Sequence, residues 1–383
     1  AGPAAAVDAR VARRAPRSDE TFSKGARNVD GPHDPFVPCR EAVMRAQTEE
    51  ALDVFVRAHS SFRRSFPFHD GFAHVACALM CVPYGAPCEP RAVRECASLV
   101  KKTAGLTNPY RARLVLPTAS LLSLSGSAES HLNRALALWG RASAALGKDD
   151  YLAVAALLCA GAPLPSLEED GDAACLVRRA QGLRDAVKER GARLVGGNFA
   201  SLCLLAAWAG ALKNEFARGV ERGHAVLAER FGDARGLQTC AHVLSLAGGD
   251  VGGNACRTTS LYDALLARGC VCGTSYELSS LASLVVVGAE SQGSESLEAE
   301  VAEATRWLGD RRGFGAFSPV TSVQRVLIAC SVVAWGIVRG QAGPASPPIM
   351  LGGAGPGGSL ALAGSFLTAA TTLAKTSGIA VGL

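Results

Sequence analysis

The sharpest metal-like grouping in the chain is His69-Asp70-Gly71-Phe72-Ala73-His74. A carboxylate beside an imidazole, with a second imidazole one helical turn on, can hold a divalent cation, and a bound cation lowers the pKa of its water enough to make a hydrolytic nucleophile. A catalytic centre of this kind needs three or more ligands and an open position, so a further His and a further Asp would have to arrive from other helices. The nearest other pair, His33-Asp34, sits in a Pro-flanked segment. The plainer reading makes Asp70 a helix N-cap and His69 and His74 ordinary polar neighbours. His69, Asp70 and His74 are the candidate metal ligands, and a metal-dependent hydrolase is the alternative they define.

Other groupings fall short of chemistry. Gly353-Ala354-Gly355-Pro356-Gly357-Gly358 spells a dinucleotide loop by letter, but no Asp or Glu follows Asp310 to hold a ribose, and Pro356 suits a linker. No cofactor is expected. Cys270-Val271-Cys272 is not a C-x-x-C pair, and Cys77 and Cys81, one helical turn apart, have apolar flanks that make them buried structural thiols. Cys240 and His242 project from a helix in different directions, so they form no nucleophile–base pair. Glu168-Glu169-Asp170 reads as a solvated loop, and Arg178-Arg179 and Arg311-Arg312 as solvated surface charge.

The elements that would position these residues are helices. A charged amphipathic helix followed by a Gly or polar break and an almost uncharged helix recurs about seven times, with a period of roughly 40 residues, the signature of stacked helical hairpins. The pairs are Arg40–His59 with Asp70–Cys81, Arg91–Thr103 with Arg113–Leu124, and His131–Leu146 with Tyr151–Ala160. The next three begin near Leu176, Phe216 and Cys256, and the seventh joins Leu297–Leu308 to Thr321–Val338. Phe216, Val220, Leu227 and Phe231 recur at helical spacing, with Arg218, Glu221 and Arg222 opposite, whereas no charge occurs from Leu237 to Gly249. The first helix of each pair is therefore half solvated and the second is buried nearly all round, which obliges the pairs to stack. Gly191, Gly232 and Gly269 close first helices, and Gly248-Gly249 separates two pairs. The fold class is all-α, an α-solenoid or an α/α toroid. The expected domains are a disordered basic arm (1–38), the hairpin domain (39–340), a Gly/Pro-rich linker (341–360) and a weak apolar helix (361–383).

Composition narrows the function. Of the 383 residues 49% are hydrophobic, enough for a large core, and aromatics are only 6%, which suits close-packed helices better than a β-sandwich. The net charge of +5 leans on Arg10, Arg13, Arg14, Arg17, Lys24 and Arg27 in the arm rather than on a stripe of the folded part, which argues against nucleic acid. That arm lacks an apolar signal core; its Arg-rich start resembles a transit peptide faintly and a solvated arm better. Thirteen cysteines scattered through apolar helices, an odd number with no disulfide framework, point to a reducing compartment, the cytoplasm. The apolar run Val326–Val338 is shorter than the roughly 20 residues a bilayer requires, so no membrane span is expected.

Residues 99–160 resemble a bacterial family known as domain of unknown function 4003, with its lysine-rich helix, short polar loop with Arg, apolar helix, and YLALAALL-type segment, here Tyr151 to Leu158. Gly236 to Leu246 and Tyr276 to Val287 are similar to two further helices of that family, and the likeness extends over roughly residues 90 to 335. It implies a helical, cytoplasmic, bacterial protein and carries across no catalytic residues. The resulting expectation is a helical-repeat binding or scaffold protein for a protein or peptide partner. Its binding face would be an inner one, made by one helix of each pair.

Overall fold

The computed structural model describes residues 46–342, except 70, 113, 162–169, 196–197, 235, 291–296, 316–317 and 319. By contacts the chain divides into a segment Ala1–Glu41 and a unit Ala42–Leu383. The basic arm, the Gly/Pro segment beyond Ala342, its Gly353–Gly358 loop and the C-terminal helix lie outside the described residues, as do His33 and Asp34.

Among the described residues the unit is helical throughout and forms seven antiparallel pairs. They are α1 (Ala46–Ser65) with α2 (Gly71–Cys81), α3 (Pro90–Thr103) with α4 (Val115–Ser123), α5 (Ala128–Leu146) with α6 (Asp150–Gly161), and α7 (Asp170–Arg190) with α8 (Phe199–Trp208). They continue as α9 (Lys213–Phe231) with α10 (Leu237–Ala247), α11 (Val251–Ala267) with α12 (Glu277–Glu290), and α13 (Leu297–Gly309) with α14 (Ser322–Ala342). The odd-numbered helices are the charged ones. In α3 the residues Val93, Cys96 and Val100 are buried at helical spacing, Pro90 opens the first turn, and Lys101 and Lys102 face the negative end of the dipole. The even-numbered helices are engulfed. Leu152 to Ala160 of α6, Ser201 to Ala207 of α8 and Val326 to Val338 of α14 are buried without interruption.

Two helices start five or more residues earlier than the sequence reading placed them. α11 begins at Val251 rather than near Cys256, because the Asp250 carboxylate accepts from the Gly253 amide at 3.0 Å and so caps a turn containing Gly252 and Gly253. α7 begins at Asp170, which is therefore the first residue of a helix and not part of a loop. α14 is also longer than its apolar run suggested: Ser322–Arg339 is long and apolar enough to cross a bilayer, but 72% of that window is buried against other helices.

Consecutive pairs pack side by side, and α14 packs against α1 and α2. Contact between first and last pairs is what a closed α/α arrangement requires and an open solenoid lacks. The seam is specific. Thr48 donates its hydroxyl proton to Glu300 Oε1 at 2.6 Å in a buried position, Arg339 pairs with Glu50 at 3.0 Å, and Phe314 lies against the rings of Phe55 and His59. Gly336 lets α1 approach: a Cβ there would stand 3.1 Å from Thr48 Oγ1 and 3.2 Å from its Cα.

Candidate functional site

Of the three sequence-predicted ligands, His69 and His74 reach one cavity. It measures about 360 Å3 and is lined by His59, Arg63, His69, His74 and the small residues Gly71 and Gly313. Asp70 lies outside the described residues. His74, on α2, meets the Phe66 carbonyl through Nε2 at 2.9 Å, and His69 sits on the α1–α2 connection with its ring edge-on to Phe66. His59 joins them from α1, three residues before the end of its buried stripe, where the sequence reads as plain core. Its ring lies 4.6 Å from Phe314, and burial, with Arg63 and His74 beside it, brings its pKa down to about 3. Burial also lowers His69. The cavity thus offers neutral imidazoles beside a guanidinium. Among the described residues, no three His, Cys, Asp or Glu side chains are grouped to hold a metal ion.

Of the sequence-marked thiols, Cys77 and Cys240 are buried, Cys272 is half-buried, and all three are poor nucleophiles. Burial pushes Cys77 and Cys240 well above the usual thiol range, and Cys272 up to about 12. Cys240 and His242 do diverge: Cys240 Sγ points to the Leu278 carbonyl, while His242 Nδ1 meets the Gln238 carbonyl and its ring packs between Phe199 and Phe216. Arg311 lies over the Trp307 ring at 4.2 Å.

A larger cleft, about 860 Å3, was not marked by the sequence. It is built where the connections α8–α9 and α10–α11 meet along α9. Its floor is apolar: Ala209, Ala211, Leu212, Phe216, Leu246 and Val251. Leu212 is 62% exposed although it belongs to that floor. Arg218 and Arg222 line it with Glu215 and Asp250, and Arg190 pairs with Glu221 at its edge. Gly248 and Gly249, at φ 72° and 65°, turn the chain through the left-handed region and leave this rim without side chains. α9 can lie close to α10 because Gly223 faces Ala241, and a Cβ at Gly219 would meet Ser245 Oγ at 2.9 Å. The only sequence signal for the cleft was the Gly248-Gly249 break.

The second helices spend their side chains on packing, so the exposed surface belongs to first helices and connections.

Comparison with curated proteins and with solved structures finds no match. A family model does match, across residues 58–337, and its span takes in all or part of every helix described here. The chain belongs to the family described as Protein of unknown function (DUF4003).

Proposed function

We propose that this is a binding protein whose ligand is a short segment of another polypeptide, received in the cleft along α9. The observation that carries this reading is the cleft's construction. An apolar floor with a solvent-facing leucine is bordered by charges of both signs and by a glycine rim where a second backbone can approach. Its volume falls in the upper part of the range of ligand clefts, about 300–1,000 Å3. Buried apolar anchors supply most of the affinity in such contacts, and bordering charges select the partner. The test is selection of binders from a random peptide library on the intact protein, followed by titration against variants. Leu212→Asp is expected to weaken the selected peptides at least tenfold, and Arg222→Glu to weaken those that carry an acidic residue more than the rest, with the melting temperature unchanged. Peptides that bind Leu212→Asp as well as the parent protein would refute the assignment.

A second reading, a metal-assisted hydrolase at His69, Asp70 and His74, is favoured by one observation, the cavity that His69 and His74 share with His59. Its test is the metal content of the purified protein. Stoichiometric zinc or manganese lost on His69→Ala would support it, and metal-free protein that takes up none on addition would reject it.

A further inference from the structure

Cys88 is absent from every sequence pattern, yet its sulfur lies 3.1 Å from that of Cys81, closer than any other sulfur–sulfur approach seen among the described thiols. The backbone amide of Cys88 also points at Cys81 Sγ, at 3.4 Å, so main chain and side chain hold the two together. Both are free thiols. They sit at the two ends of the α2–α3 connection, a 3-10 turn Val82–Tyr84 followed by Gly85, Ala86 and Pro87. Cys81 is wholly buried, whereas Cys88 is 5% exposed between the exposed residues Pro87 and Glu89, just beneath the surface.

The geometry points to Cys81 and Cys88 as a reversible dithiol/disulfide site, oxidised by a small hydroperoxide. Cys88 is the thiol that reacts first. It lies nearest the surface and just before the first turn of α3, whose amide dipoles favour a thiolate. The contact with the Cys81 thiol holds Cys88 below the usual thiol range, while Cys81 itself is raised. The Cys88 thiolate attacks the terminal peroxide oxygen. The O–O bond breaks, water leaves once a proton is taken up, and Cys88 becomes a sulfenic acid. Cys81 sulfur then attacks that sulfur, the S–O bond breaks, and the hydroxyl leaves as a second water with the Cys81 proton. Two thiols and one hydrogen peroxide give one disulfide and two waters; the sulfurs lose two electrons and the peroxide gains them. Moving the sulfurs from 3.1 Å to the roughly 2.05 Å of a disulfide needs a shift of about 1 Å, within the reach of a side-chain rotation.

The position gives the bond a consequence. Gly85, inside the bridged connection, has φ 67°, and a Cβ there would stand 2.7 Å from Arg339 Nη2, the group that pairs with Glu50 across the seam. Oxidation therefore pins the seat on which α14 meets α1. This holds whatever the α9 cleft binds.

The test uses the full chain carrying Cys39→Ser, Cys175→Ser and Cys256→Ser, which removes the two exposed thiols among the described residues and the one thiol outside them, with their intermolecular links. The folded protein is treated with hydrogen peroxide, remaining thiols are blocked, and chymotryptic peptides are mapped without reduction, cleavage after Tyr84 separating Cys81 from Cys88. A Cys81–Cys88 linked pair in most chains, two hydrogens lighter and released by dithiothreitol, is the expected result. Cys88→Ser and Cys88→Ala should each abolish it while keeping the helical circular dichroism of the parent. Folded protein that forms no link, or links Cys77 or Cys96 as often as Cys81, would overturn the inference.

Discussion

Thr48→Val interrogates the seam with almost no change of shape. Valine matches threonine in volume and in helix propensity, so neither a cavity nor a propensity difference contributes. What disappears is one hydrogen bond, 2.6 Å long, from a hydroxyl at 0% exposure to a carboxylate at 5% exposure, joining α1 to α13 across 252 residues of chain. Hydrogen bonds to charged groups contribute about 1.5–3 kcal/mol, so the loss should be about 2 kcal/mol. For a chain of this size 1 kcal/mol corresponds to about 2 °C, which predicts a melting temperature about 4 °C lower. Urea titration of Thr48→Val, Glu300→Gln and the double variant supplies the decisive number. Gln keeps an acceptor for Thr48 but not the charge, so the single variants should be non-additive by at least about 0.5 kcal/mol. Additive effects, or a melting temperature within 1 °C of the parent, would refute the claim that this bond fastens the seam.

Two glycine substitutions should act in opposite directions. A Cβ at Gly236 would stand 1.8 Å from the Ser275 carbonyl oxygen, backbone that cannot swing aside, so Gly236→Ala should cost about 3 kcal/mol. Gly140, exposed in the middle of α5 with nothing within 4 Å of its would-be Cβ, should gain about 0.5–1 kcal/mol as alanine. Urea midpoints of the two variants check both signs. Acid should destabilise the fold through its histidines. Burial lowers His242 to about 4 and His59 to about 3, below the 6.5 of an unfolded imidazole, so the unfolded chain takes up protons first as pH falls. Stability is full above about pH 6.5 and should drop by about 1 kcal/mol per histidine between pH 6.5 and 5.5. Urea titrations across that interval should show a shallower fall for His242→Leu; an identical slope would show that His242 does not contribute.

What the sequence made legible was local. Charge alternation along the chain separates half-solvated from engulfed helices because each pattern is written within one helix, and Phe216, Val220 and Leu227 are buried as their spacing required. A start near Cys256 left Gly252 and Gly253 outside the helix, but Gly252 lies beneath the Arg222 guanidinium and Gly253 donates to the Asp250 cap, so both belong to α11. The sites were legible only in part because they are assembled from residues distant in sequence. His69 and His74 announce themselves, whereas His59 is one more residue on the buried side of α1. Cys88 meets Cys81 only because the intervening turn folds back. The α9 cleft draws on two connections and one helix face, each unremarked alone, and the Thr48–Glu300 and Glu50–Arg339 contacts, 252 and 289 residues apart, leave no periodic trace.

The seam also sets an order of assembly. Each hairpin is made of neighbours in sequence and can form as soon as it leaves the ribosome, paying little loop-closure entropy. The seam partners of α1 come late in the chain, so during translation the side of α1 that carries Thr48 and Phe55 waits uncovered until α13 and α14 emerge. Nascent chains stalled before Ser322 should therefore hold folded central pairs and a first helix open to protease, and a chaperone that engages this protein during synthesis would find its apolar target on α1.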